Sequence, residues 1–133
     1  MTSCPCESGK PYNQCCEPYH LGTPAPTAEA LMRSRYSAYA LCNKYPGLVD
    51  YLLQTWHPET RPQSLALDGE NAAKWLGLQV KRHLNIDADN AIVEFAARYK
   101  HAGNLGGKAE RLHETSRFLR IDNRWYYVDG DYQ

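Results

Sequence analysis

The sequence has no excess charge of either sign, since 15 Lys and Arg balance 15 Asp and Glu. A generic nucleic-acid binder carries a clear basic excess, so that class is disfavoured. No apolar run approaches the length of a membrane span, and nothing reads as a transmembrane helix. The N-terminus shows no apolar secretory segment and no cleavage site, so the expected location is the cytoplasm. Internal repeats and low-complexity tracts are also missing. What remains is 133 residues, 43% of them hydrophobic, a size that suits one compact domain with a small appended element.

Against that plain background one stretch stands out. Four of the five cysteines fall within Cys4-Pro5-Cys6-Glu7-Ser8-Gly9-Lys10-Pro11-Tyr12-Asn13-Gln14-Cys15-Cys16. Ser8-Gly9 and Lys10-Pro11 turn the intervening segment back, so both cysteine pairs can converge on one point. Four convergent thiolates suit a tetrahedral Zn2+ site, closed and therefore structural, with Cys4, Cys6, Cys15 and Cys16 as ligands. Two disulfides or a redox role compete with this reading, while an iron–sulfur cluster usually uses wider spacing. His20, four residues past Cys16, is a substitute ligand, because adjacent cysteines strain a shared tetrahedron.

The pattern C-P-C-x-S-G-x-x-Y-x-x-C-C resembles the SEC-C motif, named after the C-terminal zinc tail of the preprotein translocase ATPase. The resemblance implies the same four cysteine ligands. Family members usually carry Gly where this chain has Glu7. The translocase tail is basic and binds a chaperone or the ribosome, whereas Lys10 here faces Glu7 and Glu17.

The zinc-binding element is expected over residues 1–20, followed by a Pro/Gly linker over residues 21–26. So short a piece has almost no apolar core, and removing the metal is expected to melt it and leave the rest folded. Thr27 reads as an N-cap with Glu29 in the first turn, opening a helix to about Cys42. Leu31, Met32, Tyr36, Ala38, Tyr39 and Cys42 share one broad arc of it, while Arg33 and Ser37 fall outside. Arg35 projects near the middle of that apolar arc. It must find a carboxylate or open onto a polar cavity, since an unpaired buried charge is costly. A second helix is expected from Leu48 to Trp56, stopped by His57-Pro58. A short helix is placed near residues 68–74.

Strands follow. The turn and alternation signals predict Trp75 to Ile86, Ala91 to Lys100, Ala109 to Ile121 and Arg124 to Gly130. The glycine-rich stretch from His101 to Lys108 lacks the ending of a phosphate-binding loop. Two helices before an antiparallel meander give an α+β class, helices packed on one face of a curved sheet. Leu31 to Tyr39, Thr55 to Pro58, Trp75 to Leu78, Glu114 to Phe118 and Trp125 to Gly130 together resemble the YchJ-like bacterial family. The resemblance implies a SEC-C element followed by a cone-shaped nuclear transport factor 2-like (SnoaL-like) domain over residues 27–133. The family commonly carries a second SEC-C motif, but supplies no activity.

A cone of this kind encloses a pocket. Arg35, Trp56, Glu114, Ser116, Tyr127 and Asp129 form one candidate lining, and His113 with Arg117 the other. Alternation puts Glu114 and Ser116 on one face and His113 and Arg117 on the opposite one, and both alternations mix apolar with polar residues. Arg35 paired with Glu114 or Asp129 would satisfy a purely structural role. The leading functional expectation is a zinc-stapled binding module, docking a protein partner through the zinc element, with a cone pocket that binds a small molecule or merely packs. The alternative is a pocket enzyme, a hydrolase, isomerase or dehydratase using acid/base residues. Third comes a nucleic-acid or ribosome-associated factor, resting on the basic segment from Arg98 to Arg120 with Tyr99 and Phe118 able to stack.

Overall fold

The computed structural model of the chain describes residues 3–67, 73–101 and 108–132. A turn of 3-10 helix (Tyr12–Gln14) and a short helix α1 (Glu17–His20) follow the first cysteine pair. Two further helices come next, α2 (Ala28–Leu41) and α3 (Leu48–Gln54). Four strands complete the chain: β1 (Ala73–Asn85), β2 (Asn90–His101), β3 (Glu110–Ile121) and β4 (Arg124–Tyr132). They pair antiparallel in the order β1-β2-β3-β4, a simple meander.

Helix α2 starts where the sequence places it. The Thr27 hydroxyl accepts the Ala30 N–H at 3.0 Å, and Glu29 bonds Arg33 one turn on at 3.0 Å. It ends at Leu41, with Cys42 as its cap. Its burial runs around almost the whole circumference. Leu31, Met32, Arg35 and Tyr36 are covered, and so are Ser34 and Ser37, both 0% exposed. The face expected to be open is occupied by the cysteine-bearing segment.

The core therefore does not divide at the linker. Cys4, Cys6 and Cys16 share one apolar cluster with Leu31, Met32 and Tyr36 of α2 and Val93 and Phe95 of β2. A smaller cluster joins Ala38 and Cys42 to Leu48, Tyr51 and Leu52 of α3.

Helix α3 stops two residues before the expected Trp56. The Thr55 hydroxyl folds back onto the Tyr51 carbonyl at 2.8 Å. The chain then pairs with β4, Tyr127 N–H donating to Thr55 and His57 N–H to Tyr127, at 2.8 and 2.7 Å. Trp56 is thus held in an isolated bridge to Tyr127 rather than on a helix face. The short helix expected near residues 68–74 falls mostly on residues 68–72, outside the described residues; Ala73 and Lys74 already belong to β1. The glycine-rich loop, residues 102–107, also lies outside them.

The strands follow the predicted spans within a few residues. Asp122-Asn123 turns β3 into β4 with φ of 51° and 66°, the left-handed pair of a two-residue hairpin. On β3 the inward face carries Leu112, Glu114, Ser116 and Phe118. His113 points the other way, its Nε2 2.7 Å from Glu94 Oε2. Register slips once between β3 and β4, where Phe118 faces Tyr127 but Arg117 faces Asp129. Val128 is the extra residue of this bulge, and everything after it changes face.

Candidate functional site

The two cysteine pairs meet because the segment between them is tightly turned. Cys4 N–H donates to the Lys10 carbonyl at 2.9 Å, and Glu7 and Gly9 have φ of 63° and 86°. The four Sγ atoms of Cys4, Cys6, Cys15 and Cys16 lie within 4.8 Å of one another. Cys6 and Cys15 are 3.5 Å apart and Cys15 and Cys16 3.9 Å, all as free thiols. A tetrahedral thiolate site with metal–sulfur bonds of about 2.3 Å has edges of about 3.8 Å, so the set fits a single metal ion.

Hydroxyls surround the sulfurs. Ser37 Oγ donates to Cys16 Sγ at 3.2 Å and sits 3.4 Å from Cys4 Sγ, while Ser8 Oγ lies 3.0 Å from Cys15 Sγ. Hydrogen bonds from Cys16, then Cys4, hold the Cys6 thiol far below its ordinary pKa. Cys16, which shares its proton with Cys4 and Cys6, is pushed up correspondingly. Burial raises Cys15. A cluster that already favours a thiolate at Cys6 is electrostatically ready for a cation.

His20 is not a ligand in this arrangement, because both ring nitrogens are committed elsewhere. Nε2 donates to the Ser34 carbonyl at 2.8 Å, so Nδ1 accepts from Tyr12 Oη at 2.6 Å. His20 instead clamps α1 to α2. Glu7 clamps the other side, its Oε2 accepting the Leu78 N–H at 2.9 Å. That N–H belongs to β1, an edge strand of the sheet.

Behind α2 lies a cavity of about 260 Å³. It brings together Arg35, Trp56, Glu114, Ser116 and Tyr127, five of the six residues of the first candidate lining. Asp129 is the exception and is a correction to that set. The bulge at Val128 turns it to the outer face, where it pairs with Arg117 at 2.5 Å. The second candidate set, His113 and Arg117, also faces outward. Arg117 binds Asp131 as well, at 2.7 Å, and Arg120 reaches Asp89 at 3.5 Å, so these charges of the basic segment are matched by acids.

Arg35 is 5% exposed. It pairs with neither expected carboxylate. Its Nη1 donates to the Leu52 carbonyl at 2.7 Å and to Thr55 Oγ1 at 2.6 Å. The guanidinium lies over two rings, 4.7 Å from the Tyr127 centroid and 5.2 Å from that of Trp56. Burial lowers its pKa, opposed by the nearby Tyr39, Tyr127 and Tyr51 hydroxyls and by Glu114. Glu114, also 5% exposed, accepts from Ser116 Oγ at 2.5 Å and Tyr127 Oη at 3.3 Å, both at Oε2. Burial pushes Tyr127 well above the ordinary tyrosine range, so it stays a donor. Gly130 lies directly beneath the carboxylate, where a Cβ would overlap it.

A family model described as the YchJ middle NTF2-like domain matches residues 27–130. The chain belongs to the YchJ-like family. A UPF0225 protein of Chromobacterium violaceum is 58% identical over 134 residues, spanning 96% of this chain and 91% of the relative. A UPF0225 protein of Ralstonia nicotianae is 51% identical, spanning 97% and 90%. A SEC-C motif containing protein from Rhodopseudomonas palustris, solved in solution, superposes with a TM-score of 0.79 at 35% identity, covering 98% of both chains. A crystal structure of a SEC-C motif containing protein from Psychrobacter arcticus gives a TM-score of 0.76 at 30% identity, covering 97% of this chain and 81% of its own. The YchJ-like architecture is thus a SEC-C element ahead of a nuclear transport factor 2-like domain.

Three contributors to these sites escape a sequence reading. Ser37 falls outside the apolar arc of α2, Thr55 and Gly130 enter only as ends of quoted sequence words, and nothing local marks their roles. Small side chains at Ser34 and Ser37, one turn apart, were the available signal for a second packed face.

Proposed function

We propose that Cys4, Cys6, Cys15 and Cys16 hold one structural Zn2+, which fixes a binding module whose cavity takes a small ligand. The convergence of four sulfurs within 4.8 Å carries this reading. All four positions of the tetrahedron are filled by protein, which leaves no open site for catalysis at the metal. The exposed turn of Glu7, Ser8, Gly9 and Lys10 is the surface through which the zinc element docks a protein partner. The test is metal content per chain in reducing buffer, with Cys4→Ser and Cys15→Ser beside the parent. One zinc per chain, lost in both variants, supports the reading; no metal with four titratable thiols sinks it.

An enzyme is the second reading, and Glu114 favours it. Among the described residues it is the one carboxylate lining the cavity, with Ser116 and Tyr127 as fixed donors. A hydrolase, isomerase or dehydratase could use it as general base. Turnover of a bound compound, abolished by Glu114→Gln while its binding persists, would establish the enzyme; binding without turnover leaves the module.

A further inference from the structure

The cavity behind α2 has an unusual charge arrangement. Among the described residues, Arg35 and Glu114 are the only charged ones that line it, and both are 5% exposed. Glu114 is near enough to act on Arg35 electrostatically, yet no N···O distance between them falls within 4.0 Å. Two buried opposite charges facing one cavity without touching leave each only partly compensated.

The remaining hydrogen-bond capacity is divided by type. At one end, Arg35 is anchored through Nη1 to Leu52 and Thr55, and its side chain also engages Tyr39. Beside it the indole Nε1 of Trp56 is buried and has no acceptor among the described residues. This end offers donors. At the other end, Ser116 and Tyr127 both donate to Oε2 of Glu114, and Oε1 receives no donor among the described residues. That end offers an acceptor. The wall between is largely aromatic: among the described residues Tyr36, Tyr39, Trp75, Phe95, Phe118 and Tyr132 line it.

We infer that the cavity binds a small zwitterion of the α-amino-acid type with an apolar side chain. Its carboxylate meets Arg35 and the Trp56 N–H, its ammonium meets Glu114, and its side chain packs on the aromatic wall. Charge balance decides between ligand classes. Arg35 and Glu114 sum to zero, so a zwitterion completes both pairs and keeps the cavity neutral. A simple carboxylate would leave the Glu114 charge unmatched, and a simple amine would leave that of Arg35. Size agrees: about 260 Å³ is below the usual ~300–1,000 Å³ of drug-sized pockets and suits a single amino acid. This inference rests on the cavity being a ligand site.

Calorimetry on the intact, metal-loaded chain tests it with L-leucine and L-phenylalanine against 3-phenylpropionate and 2-phenylethylamine. NMR of the Trp56 indole N–H and a fragment screen report whether the cavity is used. The expected result is binding of an amino acid that shifts the Trp56 signal, with removal of either charged group weakening it about tenfold or more. Glu114→Gln, folded by circular dichroism, is expected to lose most of the gap between L-phenylalanine and 3-phenylpropionate. Equal binding of 3-phenylpropionate, or an unchanged gap in the variant, overturns the zwitterion and leaves the ligand site standing. Probes and fragments that all fail to shift Trp56 overturn both.

Discussion

Ser37 Oγ donates to Cys16 Sγ at 3.2 Å, a direct bond between the middle of α2 and the cysteine cluster. A hydrogen bond onto a ligating sulfur stabilises its thiolate and fixes its direction. Ser37→Ala removes that donor with little change in volume. We expect metal affinity to fall roughly 10–100-fold, the usual cost of losing an outer-shell partner. Competition with a chromophoric chelator measures it, and unchanged affinity would show that Ser37 only packs.

Metal removal tests the shared core. Cys4, Cys6 and Cys16 pack in the same cluster as Leu31, Val93 and Phe95. Without a metal, four crowded thiols and their buried charge remain at the heart of that cluster. Chelation is therefore expected to lower the melting temperature of the whole chain in one cooperative transition. Two separate transitions, with the sheet melting at its metal-loaded temperature, would restore the picture of an independent N-terminal piece.

The sequence made some of this readable and hid the rest for identifiable reasons. Strand spans were legible because alternation and the Asp122-Asn123 turn are local signals. The convergence of four cysteines was legible because all of them lie in one short segment. Asp129 was misplaced because alternation cannot announce the bulge at Val128 that reverses it. Ser37 was misplaced because one helical arc looked like the core face, whereas α2 is covered on several sides. Trp56 left its helix because backbone pairing with Tyr127, a partner far along the chain, competed successfully for it.

Gly130 and Glu114 should be strongly coupled. A Cβ at position 130 would overlap the Glu114 carboxylate, which Ser116 and Tyr127 hold in place. Gly130→Ala is expected to destabilise by about 1–3 kcal/mol, as overpacking does. In a Glu114→Ala background the obstruction is gone, and the same change should cost much less. Urea unfolding of the four proteins in the cycle gives the coupling. Additive effects would mean that the strand simply shifts.

His20 sets an acid limit. Burial lowers its pKa from the usual 6.5, against a smaller opposing effect of its bond to the Ser34 carbonyl. The folded chain therefore resists a proton that the unfolded chain accepts. Its contribution is complete above pH 6.5 and is lost as pH falls below that value through the lowered folded pKa. Unfolding midpoints at pH 7.5 and 5.5 should drop with acid, and the drop should shrink in His20→Gln. An equal drop in both would place the acid sensitivity on groups other than His20.

Glu7 presents two opposing effects in one residue. Its φ of 63° is a conformation that glycine adopts freely, at a cost of roughly 1–2 kcal/mol for other residues. Against this, Glu7 Oε2 accepts the Leu78 N–H at 2.9 Å, a charge-assisted bond worth roughly 1.5–3 kcal/mol when shielded and less at this exposed site. The same carboxylate oxygen would be only 3.0 Å from a Cβ at Gly77, so the strand is shaped to admit it. Glu7→Gly relieves the backbone and removes the bond, so the two effects should nearly cancel in stability. Glu7→Ala keeps the strain and loses the bond, and is expected to be less stable than Glu7→Gly by about 1 kcal/mol. Thermal unfolding of the three proteins decides it. If Ala and Gly are equal, the turn around Glu7 relaxes once the carboxylate lets go of β1, and the contact with Leu78 is what holds the left-handed conformation.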